Sequence, residues 1–408
     1  MLHRRRFLQT ISTVAVTGGS LLALRSGLGG PTAAGRKLPS ALIAGKSDEL
    51  LVHTAEPLVF ESPLSLLDQY VLTPKSQLFV RSNANPAGMS TTAPADVKDW
   101  SIELTGLAEG ARTVNLAALA GLPQVEVELV LQCSGNGRSM FSRAAKTEGT
   151  QWGRGGIGNV RFGGPKLSEV LRHLKVEPAP TARYVAAEGF DAPAPGKNDF
   201  EHSIPLGDVL DRAFLATTMN GDPLPAIHGG PVRLVTPGYY GTVQLKWLSR
   251  LRFEAEESAN PYHADLYRTP NRRLSPGEKF RFDRSNSTPT WTMKLASLIT
   301  SHSDGQQVGT EPTQVSGYSW NDGSAPLQSV LLSTDLGQTW NRVPLTLSKS
   351  PYAWSRWSAP VTLQPGRNTV WITAVDALGR TQPDDGAIAW NPAGYEWNGV
   401  EKLVLNVG

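Results

Sequence analysis

Apolar and polar side chains alternate most cleanly over residues 125–133. Val125, Val127, Leu129 and Leu131 share one parity, and Glu126, Glu128 and Gln132 share the other. That is the period-two pattern of a strand with one buried face. Cys133 falls on the apolar parity, so the strand delivers its thiol inward, where the chain breaks into Ser134-Gly135-Asn136-Gly137. Leu167, Val170, Leu171 and Leu174 recur at helical spacing after Pro165. Residues 95–255 therefore alternate short strands with short helices, with further strands predicted at 232–235 and 245–253. Residues 255–290 are polar and proline-rich and read as a long connection. Beyond about residue 290 the pattern turns all-β. Residues 328–334 and 339–343 flank Asp335-Leu336-Gly337-Gln338 as a hairpin, and 370–376 and 403–407 alternate again. Short strands between regular turn signals predict an immunoglobulin-like β-sandwich. The expected fold class is α+β, a mixed α/β domain followed by that sandwich.

The apolar run 11–24 has a different meaning. Arg4, Arg5, Arg6, Phe7 and Leu8 precede it, and Thr32, Ala33 and Ala34 supply small residues after it. A charged region, an apolar region and a cleavage zone make an export signal. An ordinary secretion signal or an N-terminal anchor shares those features, but paired arginines before Phe-Leu favour the twin-arginine type. The expected location is the periplasm. Twin-arginine export carries folded proteins, and a cofactor inserted in the cytoplasm is a reason to fold first. After the first forty residues no segment approaches the length of a membrane span, so none is expected in the mature chain. The expected division is a signal peptide at 1–34, a catalytic domain at 35–285 and the sandwich at 286–408.

Composition narrows the function. A chain of 408 residues can hold two or three domains, and 40 glycines, 30 prolines and 18% charged residues favour a loop-rich globule. The net charge of +3 is largely a leader effect: residues 1–34 hold four arginines and no acid, and without them it is −1. The basic balance thus gives no argument for nucleic acid. Cys133 is the single cysteine. It excludes an internal disulfide, a Cys-x-x-Cys-His haem attachment and a four-cysteine iron–sulfur cluster, so no haem is expected in this chain.

A thiolate suits a soft or high-valent metal, glycines let backbone approach a bulky ligand, and Arg138 can neutralise an anion. By chemistry alone Cys133 fits a metal ligand and a buried structural thiol equally. The run Gln132-Cys133-Ser134-Gly135-Asn136-Gly137-Arg138 resembles the molybdenum-ligating motif of the sulfite oxidase family. So do Met219-Asn220-Gly221-Asp222-Pro223-Leu224-Pro225, His228-Gly229-Gly230-Pro231-Val232-Arg233, Pro237-Gly238-Tyr239-Tyr240-Gly241 and Lys246-Trp247-Leu248, in order and spacing. The resemblance covers about residues 60–405, and the sandwich resembles the family's dimerisation domain. It implies molybdenum held by Cys133 and a molybdopterin cofactor. His228, Arg233 and Lys246 match positions that hold the pterin and its phosphate, and Phe79 and Asp191 match further cofactor contacts. Taken alone, Lys246 also fits a solvated strand residue, His228 a loop histidine and Asp191 a turn aspartate. Arg81 matches the arginine of the family's Arg-Asn-His element, which here reads Arg-Ser-Asn. Asn83 replaces the histidine; it can hydrogen-bond a cofactor but cannot be charged.

For the substrate, Arg81 and Arg138 match arginines of an anion pocket, Trp152 its indole donor and Tyr267 its tyrosine. A further arginine is expected from the sandwich, and Arg356 stands one place from the expected position. The resemblance implies oxidation of sulfite to sulfate by oxygen-atom transfer. With no haem domain before residue 60, electrons are expected to pass singly to a separate periplasmic c-type cytochrome. A homodimer through the sandwich is implied likewise. Two alternatives stand beside this: the molybdenum subunit of a sulfane dehydrogenase, and a non-catalytic periplasmic binding or adhesion protein. Gly153-Arg154-Gly155-Gly156-Ile157-Gly158 satisfies the Gly-x-Gly-x-x-Gly pattern, but polar residues precede it and Gly163-Gly164-Pro165 interrupts the stretch after it, so no dinucleotide site is expected.

Overall fold

The computed structural model describes residues 36–37, 43, 45–84, 100–191 and 198–408. The expected leader lies outside these residues. The strand Gln124–Gln132 pairs antiparallel with Ile157–Pro165 in unbroken register, and Thr218–Met219 and Asp222–Pro223 complete a four-stranded sheet. A five-stranded sheet lies beside it, in the order Glu201–Pro205, Tyr184–Gly189, Leu248–Glu254, Ser101–Thr105, Arg112–Asn115. Its one parallel pair joins Leu248–Glu254 to Ser101–Thr105.

The helix Leu167–Leu174 forms where the apolar spacing places it. It buries Leu167, Val170 and Leu171 and carries Glu169 in its first turn and Arg172 and His173 in its last, each suited to the helix dipole. With the helix Leu206–Arg212 it covers the five-stranded sheet around Leu104, Val185, Ile204 and Leu251.

The C-terminal third contains two further sheets. One runs Ala296–Ile299, Thr313–Trp320, Ser355–Val361, Leu345–Thr346. The other runs Gln306–Val308, Glu401–Val407, Gly366–Asp376, Leu327–Ser333, Asn341–Val343. They share a core containing Val315, Val330, Trp357, Ile372 and Leu405. The expected hairpin is present: Leu327–Ser333 pairs with Asn341–Val343 across the turn at Asp335, whose carboxylate accepts from Thr339 N–H at 2.9 Å.

Two expectations need adjustment. The strand expected at 245–253 runs Leu248–Glu254, because Gly241–Val243 forms a 3-10 turn and Trp247 takes φ +53°. The long connection contains a short helix, Pro261–Ala264, and a two-strand ladder of Arg268–Pro270 with Ser287–Pro289. No helix among the described residues is long and apolar enough to cross a membrane.

The two parts interlock around the cysteine strand. Trp320 Nε1 donates to the Gln132 side-chain oxygen at 2.9 Å, and Val130 N–H donates to Tyr352 O at 2.9 Å. Arg154 forms a buried ion pair with Glu401.

Candidate active site

The turn after Gln132 closes on itself. Asn136 N–H donates to Cys133 O at 2.9 Å, Gly137 N–H to Gly153 O at 2.6 Å, and Gly156 N–H to the Asn136 side-chain oxygen at 3.0 Å. Gly137 takes φ +83°, and a Cβ there would lie 2.8 Å from the Trp397 side chain, so only glycine fits. Cys133 is buried beside Phe79, Leu129 and Leu131, yet it also lines a cavity with charged walls.

Arg81, Asn83 and Tyr267 form one group on that cavity. Arg81 Nη2 donates to Asn83 Oδ1 at 2.6 Å and approaches the Tyr267 hydroxyl at 3.4 Å, and the same hydroxyl can donate to Asn83 Oδ1 at 3.4 Å. Burial opposes the Arg81 charge, but Tyr267, Cys133 and Tyr395 outweigh it and the guanidinium titrates above its usual range. Tyr267 takes φ +49°. Its ring stacks on Tyr395 at 4.9 Å and meets His202 edge-to-face at 5.2 Å.

His228, Arg233, Lys246 and Asp191 form a second group on the same cavity. His228 ends the 3-10 turn Ala226–His228, and Gly229 comes next at φ +108°, where a Cβ would sit 2.9 Å from the Lys246 side chain. Arg233 Nη1 donates to His228 O at 3.0 Å, while its buried Nε has no partner among the described residues. Lys246 Nζ donates to Ser82 Oγ at 2.7 Å and lies 4.2 Å from the Trp247 ring centroid. Lys46 joins from the N-terminal segment, its Nζ 2.9 Å from His228 Nε2. Burial, with neighbouring cations, pushes His228 and Lys246 well below their usual ranges, and burial lowers Arg233 to about 9. Asp191, the acid of the group, is raised to about 6 by burial and then by Asp199, with Lys246 opposing.

Phe79 also lines the cavity. Trp152 packs behind Phe79, and Arg138 does not line the cavity. Arg138 donates from Nε to Ala393 O and from Nη1 to Thr150 O, both at 2.8 Å, and its guanidinium carbon lies 5.1 Å from the Tyr395 ring centroid. Backbone carbonyls thus occupy two of the donors expected to meet the substrate. Trp152 is fully buried between His53 and Phe79, with its Nε1 unpartnered among the described residues.

Arg356 corrects the expectation of a pocket arginine from the sandwich. On Ser355–Val361 it stands opposite Tyr318, while its neighbour Trp357 enters the core. The alternation turns Arg356 to the other face, where it donates to Tyr318 OH at 2.9 Å and Asp68 O at 3.2 Å. The aromatic side chain that the C-terminal part brings to this region is Tyr395, from a loop tied to the cysteine turn by Glu396 N–H donating to Ser134 O at 2.8 Å. An isolated tyrosine in Pro392-Ala393-Gly394-Tyr395 carries no local signal of that role, and neither does Lys46 in a stretch without periodicity. The Gly153–Gly158 pattern serves packing: Gly153 and Gly155 N–H donate to the Glu61 carboxylate at 3.0 and 2.9 Å, and a strand begins at Ile157.

Residues 89–262 match the family model of the oxidoreductase molybdopterin binding domain, and residues 287–405 that of the Mo-co oxidoreductase dimerisation domain. Sulfite oxidase of Gallus gallus is 33% identical over 359 residues, covering 85% of this chain and 75% of that protein. The chain belongs to the sulfite oxidase family of molybdopterin oxidoreductases. Human mitochondrial sulfite oxidase is 30% identical over 370 residues, 88% of this chain and 66% of that one. The Drosophila melanogaster enzyme is 29% identical over 368 residues, and this chain spans 62% of its length. Among solved structures, the sulfane dehydrogenase SoxCD from Paracoccus pantotrophus superposes with a TM-score of 0.74 at 24% identity, covering 98% of this chain and 96% of that one. That likeness establishes a shared fold.

The family's cofactor is molybdenum on molybdopterin, and the second group fits its anionic end. Lys46, Arg233 and Lys246 surround His228, with Asp191 only weakly acidic and Arg233 Nε unpartnered among the described residues. Buried cations without counter-charge are costly, and a phosphate supplies that charge. Arginine offers it a planar fork. Cys133, on the same cavity, is the thiol for the metal.

Proposed function

We propose that this protein is an exported molybdenum enzyme that oxidises sulfite to sulfate in the periplasm and passes the electrons singly to a separate c-type cytochrome. The observation that carries the reading is the placement of Arg81, Asn83 and Tyr267 on the cavity that also exposes Cys133. The bound cofactor supplies two-electron oxidation with oxygen-atom transfer. The chain does the rest. Cys133 holds the metal by its thiolate sulfur, and His228, Arg233 and Lys246 hold the pterin phosphate. Arg81 gives the oxyanion a fixed positive charge in a water-poor pocket, where such charge is most effective. With substrate bound, the single Tyr267 hydroxyl proton turns from Asn83 Oδ1 to a substrate oxygen, while Arg81 Nη2 stays oriented by donating to Asn83 Oδ1 and to the Tyr267 hydroxyl oxygen. Phe79, Leu131 and Leu245 line the same cavity and limit water.

The C-terminal sheets form, in this reading, an immunoglobulin-like sandwich through which two copies pair. The leader is read as twin-arginine, so a precursor with Arg4→Lys and Arg5→Lys is expected to stay in the cytoplasm. The decisive experiment is sulfite-dependent reduction of a c-type cytochrome by molybdenum-loaded protein; no turnover rejects the reading.

One observation favours a second substrate. Of the arginines expected around the anion, only Arg81 lines the cavity, since Arg138 is bound to backbone carbonyls and Arg356 faces away. A pocket with fewer free cations suits a sulfur group of lower charge, such as a carrier-bound sulfane, and the SoxCD likeness is compatible with it. The same assay with a thiosulfate-derived sulfane separates the two.

A further inference from the structure

Lys46 lies in a turn shortly before the strand Leu51–Thr54 and is 8% exposed. Its Nζ meets three atoms: Lys75 O at 2.6 Å, Leu78 O at 2.7 Å and His228 Nε2 at 2.9 Å. Carbonyl oxygens only accept, so two Nζ–H bonds are spent on them. The third direction reaches the imidazole. Either an ammonium donates to a bare Nε2, or a neutral amine accepts from Nε2–H. The two arrangements put opposite groups on the far side of the ring. In the first, Nδ1 carries a proton; in the second, Nδ1 is a bare acceptor. No protein group among the described residues pairs with Nδ1, and His228 lines the cavity.

We propose that Lys46 is a positioning residue for the cofactor, its ammonium fixing His228 as the Nδ1–H tautomer so that the ring presents a donor to the phosphate of the pterin. The inference rests on the reading that His228 faces that phosphate. Burial favours the neutral amine. A phosphate anion favours the opposite: it stabilises positive charge on Lys46 and rewards a donor at Nδ1, whereas a bare nitrogen there would face like partial charge. Lys46 is thus the outer partner that orients an inner ligand, as carboxylates orient metal-bound histidines. The surrounding turn is held independently, by Ser47 N–H donating to Ser76 O at 2.9 Å and by Leu50 in a core with Phe60 and Ile227. Removing the amine should therefore leave the segment in place.

The test uses the holoenzyme labelled with 15N-histidine, with the His228 signal assigned by its loss in His228→Gln. Long-range proton–nitrogen correlation reads which ring nitrogen bears the proton. Molybdenum per chain and the rate of cofactor release are measured on the same samples. Wild type should carry the proton on Nδ1. Lys46→Met should move it to Nε2, where Lys75 O lies 3.4 Å away, and should speed cofactor release by roughly 10-fold, the low end for loss of an outer-shell partner. Lys46→Arg, which keeps the charge and cannot act as a neutral acceptor, should retain the wild-type tautomer and serves if the methionine variant fails to fold. A wild-type proton on Nε2, or an unchanged tautomer and release rate in Lys46→Met, overturns the role of Lys46. Wild-type protein that binds no molybdenum overturns the cofactor assignment itself, and normal cofactor with no sulfur-substrate turnover overturns the proposed function while leaving Lys46 in place.

Discussion

Replacing Tyr267 by phenylalanine isolates one hydroxyl. In the structure that oxygen lies 3.4 Å from both Arg81 Nη2 and Asn83 Oδ1, at the long end of hydrogen bonding. Losing two such contacts should cost the fold no more than about 1 kcal/mol in total. The ring itself is kept by Tyr395 at 4.9 Å and His202 at 5.2 Å, and neither contact uses the hydroxyl. A donor to a bound anion is another matter, worth about 1.5–3 kcal/mol. Removing it should lower kcat/KM for sulfite roughly 10- to 150-fold at unchanged molybdenum content. The assay is steady-state reduction of a c-type cytochrome over a range of sulfite concentrations, alongside metal analysis and thermal unfolding. A fully loaded variant within about threefold of wild type would refute the placement of the hydroxyl against substrate.

Three further outcomes rest on the geometry. Cys133→Ser should abolish molybdenum retention while the thermal transition stays cooperative, measured by elemental analysis and calorimetry. Arg356→Ala should leave kcat/KM within about twofold, because its charge faces Asp68 at 3.8 Å on the outer side and such half-exposed pairs contribute about 0–1 kcal/mol. The Asp191 carboxyl binds its proton more tightly in the folded protein than in the unfolded chain, so its contribution to stability is fully present below about pH 4 and is lost as pH rises through about 6. Asp191→Asn should remove that loss, so that the stability of wild type relative to the variant falls by on the order of 2–3 kcal/mol between those limits in chemical denaturation; parallel curves would contradict it.

What the sequence disclosed divides along physical lines. The strand ending at Cys133 and the helix Leu167–Leu174 are legible because one buried face imposes a period, and the parity of Cys133 gives its inward direction. Motif resemblance names Arg81, His228, Arg233 and Lys246, and the fold gathers them around one cavity. The same resemblance assigns Arg138 and Trp152 to that cavity. Neither lines it: Thr150 O and Ala393 O bind the guanidinium, and His53 and Phe79 enclose the indole. Those partners leave no periodic trace in the chain. Arg356 fails for a sharper reason: neither face of its strand meets the cavity, since Trp357 enters the sandwich core and Arg356 turns to Tyr318 and Asp68. Lys46 and Tyr395 escape notice in the sequence because each sits in an irregular stretch whose contacts are set by tertiary structure.

The ring of Tyr395 lies against both Tyr267 and the guanidinium of Arg138, so a tyrosine of the chamber wall is backed by a loop encoded some 260 residues after the cysteine. Truncating the chain after the pterin cradle would strip Tyr267 of that backing. The same arrangement makes that distal loop a convenient handle for engineers. Exchanging it would alter how Tyr267 is held, and through the bond from Glu396 N–H to Ser134 O the change would also reach the turn that carries the cysteine.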